Sequence, residues 1–265
     1  MSLVDGMMEL TDALKARLDI RSLLSDKKVI RVSRFRDTSY LHDPAYEVHL
    51  GNGETLRADC VVLATPAYVT AELLQGLAGT LSEVLLSIPY VSTATISLAY
   101  RQSEIHHPLD GFGFVIPRAE KRKIMASTWT SVKFSHRSTP DFVLLRAFVG
   151  GAQKEDLVGT DDDLIIDMVR KELLEIMGIT AHPILTRVYR WDKSMPQYML
   201  GHAERVSHME EELLHYPGLY LTGCAYRGIG ISDCIHDGKL TAEKILKFLG
   251  RAETEYEKGG GTNHR

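Results

Sequence analysis

Between residues 88 and 191 the apolar positions fall into short alternating runs, while the flanks mix helical stripes with continuous apolar runs. Ile96–Tyr100, Phe112–Ile116, Ile124–Trp129 and Val143–Val149 are rich in β-branched and aromatic residues and are separated by turn residues. They predict four strands of an antiparallel sheet. Asp161-Asp162-Asp163 opens a strongly amphipathic stretch, with Leu164, Ile165, Met168, Val169, Leu173 and Ile176 on one face and Gly178 behind them. Acidic residues in the first turn and glycine past the last are helix boundary signals. Residues 184–191 read as a further strand.

On the N-terminal flank, Met7, Leu10, Leu14 and Leu18 predict a helix over 5–18 with Asp5 as its N-cap. A short strand at 29–32, a hairpin arm at 46–50 and a Gly51-Asn52-Gly53 turn follow. The run Cys60–Ala64 predicts a buried strand ending at Thr65-Pro66, before a helix over 68–77. On the C-terminal flank come a polar-faced helix at 202–214, a strand at 218–222 and a closing helix at 238–249. The glycine-rich, charged stretch 253–265 predicts a disordered tail. The fold class is α/β, of mixed α+β character. A mainly antiparallel sheet domain is inserted between two segments of a nucleotide-binding layer.

A chain of 265 residues has room for one or two cored domains, and 44% hydrophobic with 25% charged residues is a globular composition. The formal net charge of −4 argues against nucleic acid as a partner, and the cluster Arg118, Lys121, Arg122, Lys123 reads as a solvated loop. No apolar run reaches the ~18 residues of a membrane span, and the first residues lack a signal-peptide layout. Cys60, Cys224 and Cys234 show no CxxC spacing and read as reduced thiols of a cytoplasmic protein.

Chemistry concentrates near the C-terminus, where Leu219-Tyr-Leu-Thr-Gly223-Cys-Ala-Tyr-Arg-Gly228-Ile-Gly230-Ile-Ser-Asp-Cys-Ile235 runs from strand through glycine loop to helix start. Glycines there let a backbone approach a ligand, and a helix N-terminus offers free N–H groups with partial positive charge. The same spacing also suits a plain turn with packing glycines. No GxGxxG, GxSxG or HExxH is present. His202, His208 and His215 spread around a helix, which favours solvent-facing side chains over a metal site; no metal and no catalytic residue is assigned.

The full string, with Gly238 and Ala242 after it, resembles the C-terminal FAD motif of the HemY-type protoporphyrinogen/coproporphyrinogen III oxidases, within the amine-oxidase-like flavoproteins. Three further stretches match in order: Gly6-Met7-Met8-Glu9-Leu10 with Ala13-Leu14; Ala58-Asp-Cys-Val-Val-Leu-Ala-Thr-Pro66; and Trp191-Asp-Lys-Ser-Met195-Pro-Gln-Tyr198 with Gly201-His202. These anchors span residues 6 to about 249. Asp5 stands where the family commonly has glycine, Ser232 where it often has proline, and Cys224-Ala225 where Ala-Ser is usual.

The resemblance implies an FAD cofactor and a porphyrinogen substrate, coproporphyrinogen III or protoporphyrinogen IX, in haem biosynthesis with oxygen as acceptor. It implies a partial FAD-binding domain at 1–87, a substrate-binding sheet domain at 88–200, a C-terminal FAD-binding segment at 201–250 and a tail at 251–265. Val29 would lie at the adenine end of FAD and Trp191 near the flavin. Ile229, Gly230 and Ile231 would give backbone contacts. Val29 and Trp191 are equally readable as core residues. Lys133, Arg137 and Arg146 are candidates for substrate propionates. Phe112, Phe114, Ile116 and Trp129 would line a flat apolar site or fill the sheet core. The family's first βαβ unit, which holds the pyrophosphate, has no counterpart in this sequence, so the chain by itself is expected to hold FAD poorly and to purify colourless. The alternatives are an amine-oxidase or carotenoid-desaturase relative, or a non-catalytic fragment. Peripheral membrane contact stays open.

Overall fold

The computed structural model describes residues 3–35 and 45–250. In chain order the elements are α1 (Met8–Lys15), β1 (Val29–Arg34), β2 (Tyr46–Leu50), β3 (Thr55–Ala58), β4 (Val61–Leu63), α2 (Ala67–Leu74) and α3 (Gly79–Leu86). Then come β5 (Tyr90–Arg101), β6 (Gly113–Val115), β7 (Ile124–Trp129), α4 (Thr130–Lys133), β8 (Phe142–Gly150), α5 (Asp162–Met177) and β9 (Leu185–Pro196). The chain continues with α6 (His202–Leu213), β10 (Leu219–Leu221) and α7 (Ile231–Phe248). These elements form two compact units, one from Met1–Leu23 with Tyr90–Met195, the other from Leu24–Pro89 with Pro196–Arg265. The expected tail lies outside the described residues.

The first unit is built on a five-stranded sheet of order β6-β7-β8-β5-β9. Its alternating runs put every second residue on one face. Ile96, Leu98 and Tyr100 of β5 and Val143, Leu145, Ala147 and Val149 of β8 are fully buried against Ile165, Val169 and Leu173 of α5. Of the stripe the periodicity predicts, these three are buried and Met168 packs against the core, whereas Leu164 and Ile176 are exposed and Met177 is buried in their place. The helix ends where the glycine stands, with Gly178 at φ +68° and its N–H on the Leu174 carbonyl at 2.9 Å. The helix expected over 5–18 is shorter. Only residues 8–15 are helical, Asp5 is not the N-cap, and none of the eight residues is buried. An apolar stripe that finds no packing partner cannot support so short a helix further.

The second unit holds a three-stranded antiparallel sheet, β1-β2-β3, and a parallel pair, β10-β4. Its core joins Ala71 and Leu74 of α2, Leu81 and Leu85 of α3, and Met209 of α6, all of them buried. Helix α3 is short, and sequence pattern alone does not separate it from α2. The closing helix begins at Ile231 rather than at 238, so Ser232 lies inside its first turn and Gly230 is the N-cap. Gly238 sits in the helix with open space around it, so no close packing in this chain requires glycine there. No described helix is long and apolar enough to cross a membrane.

Candidate functional site

The parallel pair sets Leu219, Tyr220 and Leu221 beside Val61, Val62 and Leu63, so both strands end at the same edge. The Thr222 N–H donates to the Leu63 carbonyl at 3.2 Å, and the chain then turns into the glycine loop. Ligands of open α/β layers bind at such carboxyl ends. Between this edge and α7 the loop runs through Gly223 and Gly228, both at positive φ (+121° and +147°), to Gly230 in an extended conformation. Buried Ala225 and Tyr226 anchor its middle.

Asp237, one turn and a half into α7 and only 5% exposed, ties the loop to the helix. Its carboxylate accepts from the Thr222 hydroxyl at 2.7 Å, the Gly223 N–H at 3.1 Å and the Arg227 guanidinium at 2.8 Å. Arg227 also pairs with Glu210 of α6. Burial alone would push the Asp237 carboxyl up. The Thr222, Gly223 and Arg227 donors outweigh it and hold the group below the usual aspartate range.

The Met195-Pro-Gln-Tyr198 segment and the glycine loop are physically joined. The Tyr198 hydroxyl donates to the Cys224 carbonyl at 2.8 Å and accepts from the Gly228 N–H at 2.8 Å. His202 stacks on Tyr198 with ring centroids 3.8 Å apart, and its Nε2 donates to the Tyr226 carbonyl at 3.1 Å. That bond fixes Nδ1 as the lone-pair nitrogen of the neutral ring. His202 is therefore half-buried and positional, not the solvent-facing side chain its helical spacing suggests. His208 and His215 are exposed. Tyr198→Phe should lower hydrogen-exchange protection at Gly228 by about tenfold, the equivalent of one ordinary hydrogen bond. Unchanged protection would show that the loop holds itself.

At the N-terminus of α7 the cap residue, Gly230, has no side chain to occupy the free first-turn N–H groups, and its own N–H donates to Asp233 Oδ2 at 3.1 Å. Ile229 and Ile231 flank it at 58% and 53% exposure. A backbone cradle rimmed by exposed aliphatics suits an apolar ring with an electron-rich edge. Among the described residues no His, Cys, Asp and Glu cluster could hold a metal ion.

The residues expected at a cofactor site thus fall in three places. Ile229, Gly230 and Ile231 share this cradle. Val29 starts β1 in the same unit and is half-buried opposite Leu50. Trp191 lies in the other unit on β9 and is 52% exposed, which excludes the core-packing reading. Of the flat-site candidates, Trp129 is buried in the sheet core, Phe114 and Ile116 pack against that core, and Phe112 is exposed. Of the propionate candidates, Lys133 lies over the Phe134 ring at 5.4 Å and Arg137 donates to the Leu3 carbonyl at 3.1 Å. Arg146 points out of the sheet. The basic cluster is not wholly a solvated loop: Arg122 pairs with Glu172 and Glu175 of α5.

A parallel strand pair that feeds a glycine loop and a bare helix N-terminus, in a chain that also carries a large antiparallel sheet, is an architecture suited to a nucleotide cofactor. The chain belongs to the flavin containing amine oxidoreductase family, whose profile matches residues 1–246. It is 34% identical to the coproporphyrinogen III oxidase of Bacillus subtilis over 94% of its own length and 51% of that protein's. It is 28% identical to human protoporphyrinogen oxidase over 92% of its length and 51% of the human chain. A crystal structure from Exiguobacterium sp. 255-15, assigned by name to the protoporphyrinogen oxidases, superposes with a TM-score of 0.82 at 32% identity, covering 94% of this chain and 52% of that one. The chain spans about half the length of the curated relatives it matches.

Proposed function

We propose that this chain carries the central and C-terminal parts of an FAD-dependent porphyrinogen oxidase of haem biosynthesis, acting on coproporphyrinogen III with oxygen as the final acceptor. The observation that carries the reading is the Tyr198 clamp. It unites the two most family-specific stretches of the sequence, and it shapes the loop that opens α7. FAD, when bound, supplies the acceptor for hydride equivalents from the porphyrinogen. The protein's part is to hold and orient. Gly230 and Ile231 would offer backbone N–H groups, Ile229 and Ile231 an apolar flank, Trp191 an aromatic face and Val29 a contact at the adenine end. Asp237 and Tyr198 would act at one remove, by fixing the loop. The free thiols Cys60, Cys224 and Cys234 support a cytoplasmic setting.

A chimera tests this reading, with this chain replacing the matched half of the Bacillus subtilis enzyme. It should bind FAD and oxidise coproporphyrinogen III, seen as a rising porphyrin absorption band, while leaving primary amines untouched. Oxidation of amines, or a chimera that folds without flavin, would overturn it.

A further inference from the structure

The face of the five-stranded sheet opposite its core carries an exposed charge that has no counter-charge among the described residues. Strand β8 is the middle strand of the five. Its buried residues Val143, Leu145, Ala147 and Val149 face α5, so Leu144, Arg146 and Phe148 stand on the other face. Register places Arg146 between Thr128 of β7 and Ser97 of β5, and Phe148 between Ala126 and Thr95. Strand β9 continues this face. Val188 packs on the core, and Arg190 reaches Val158, Thr160 and Asp162 on the α5 side, so Tyr189 and Trp191 alternate outward.

At one end the face sinks into a shallow hollow of about 580 Å³, with Ala99, Phe142, Leu144 and Leu185 among its lining residues. Most of the sheet face is therefore small or apolar, and the hollow adds the polar side chains of His136, Arg137, Ser138 and Thr139. The central side chain of the face is nevertheless a guanidinium. The Arg146 Nε reaches Ser97 Oγ at 3.5 Å, the limit of a hydrogen bond, and among the described residues no carboxylate lies within ion-pair distance. Arg122, Arg190 and Arg227 by contrast each hold one. An arginine in the centre of an apolar sheet face presents five donors to whatever lies there, in the fork geometry that suits a carboxylate.

We propose that Arg146 is a specificity-determining residue that takes a side-chain carboxylate of a tetrapyrrole lying on this sheet face. This assignment rests on the porphyrinogen reading above and adds to it a reason for selecting among porphyrinogens, since the number and position of ring carboxylates would decide affinity. A tetracarboxylate such as coproporphyrinogen III offers this guanidinium a partner in more orientations than a dicarboxylate does.

The test is equilibrium binding to the full chain, followed by quenching of tryptophan fluorescence. The probe is coproporphyrin III, the oxidised and stable form of the substrate, compared with its uncharged tetra-amide. The wild-type chain should bind the acid about tenfold more tightly than the amide, as one charge-assisted contact implies. Arg146→Gln should remove that preference without changing amide affinity, and Arg146→Lys should keep part of it, because a lysine retains the charge without the fork. A preference that survives in Arg146→Gln overturns the proposal. So does a wild-type chain that shows no preference or binds neither probe. Selective binding by the chain together with an amine-oxidising chimera would sink the oxidase reading while leaving the carboxylate site standing.

Discussion

Asp237→Ala should destabilise the unit that carries the glycine loop by about 3 kcal/mol, near the low end of the range for removing one partner of a buried ion pair. The side chain is 5% exposed and serves three donors at once, so the substitution strands the Thr222 hydroxyl, the Gly223 N–H and one face of the Arg227 guanidinium. Arg227 keeps Glu210, which limits the loss. Asp237→Asn keeps an acceptor oxygen for Thr222 and Gly223 but sets its NH2 group against Arg227, losing that bond along with the charge, so its cost should be smaller than that of alanine without vanishing. The two variants also differ from wild type in pH dependence. The folded state holds the Asp237 carboxyl below its ordinary value, the donors prevailing over burial. The folded protein therefore binds fewer protons than the unfolded chain near the unfolded pKa of about 3.9. This contribution to stability is complete above that value and drains away as pH falls through the lower folded pKa. Urea melts from about pH 7 down to about pH 3 should show a shallower acid decline in Asp237→Asn than in wild type. Equal slopes would mean that the carboxylate is not the ionised hub the geometry makes it.

That hub shows where sequence reading stops. The sheet is legible because each strand carries its own alternation, and α5 because an acidic first turn and Gly178 bracket an apolar stripe. These are local signals. Tyr198 and His202 act on backbone groups 24 to 30 residues further on, and no periodicity encodes a side chain bonded to a distant carbonyl. They were visible only as part of a family signature, without a role. Asp237 left a faint trace, an acid within the closing helix, but burial is what gives it meaning. Arg146 left a clearer one: a charge centred in Val143–Val149, at the parity opposite the buried valines, marks the outer face of a strand whose inner face is core. The N-terminal helix failed in the other direction. Met7, Leu10, Leu14 and Leu18 keep perfect spacing, yet spacing describes a face and does not supply a partner for it.

Gly228 and Gly230 look interchangeable in the sequence, and their expected responses to substitution are opposite in kind. Gly228 sits at φ +147°, and a Cβ there would lie 2.5 Å from the Asp233 Cβ and 2.7 Å from its carboxylate. To make room Asp233 must swing away, which also releases the Gly230 N–H it holds. Backbone strain of about 1–3 kcal/mol adds to about 1 kcal/mol for the lost helix-start bond, so Gly228→Ala should melt well below wild type and lose flavin as a consequence. Gly230 has φ −71°, open to any residue, and an added Cβ meets only the Asp233 Oδ2 at 2.8 Å and, more loosely, Ser232 Oγ. Both are side-chain ends that can shift, but moving Asp233 Oδ2 loosens its bond from the Gly230 N–H, so Gly230→Ala should cost about 1 kcal/mol in stability, without the backbone strain of Gly228→Ala. Its effect belongs to the ligand, because the methyl group stands in the cradle where a cofactor would approach the backbone. In the FAD-binding chimera without bound ligand, Gly230→Ala should melt only slightly below wild type and well above Gly228→Ala, yet lose most of its flavin affinity. Equal destabilisation by the two substitutions would make Gly230 a packing glycine, and unchanged flavin affinity in Gly230→Ala would remove the backbone approach on which the cofactor assignment depends.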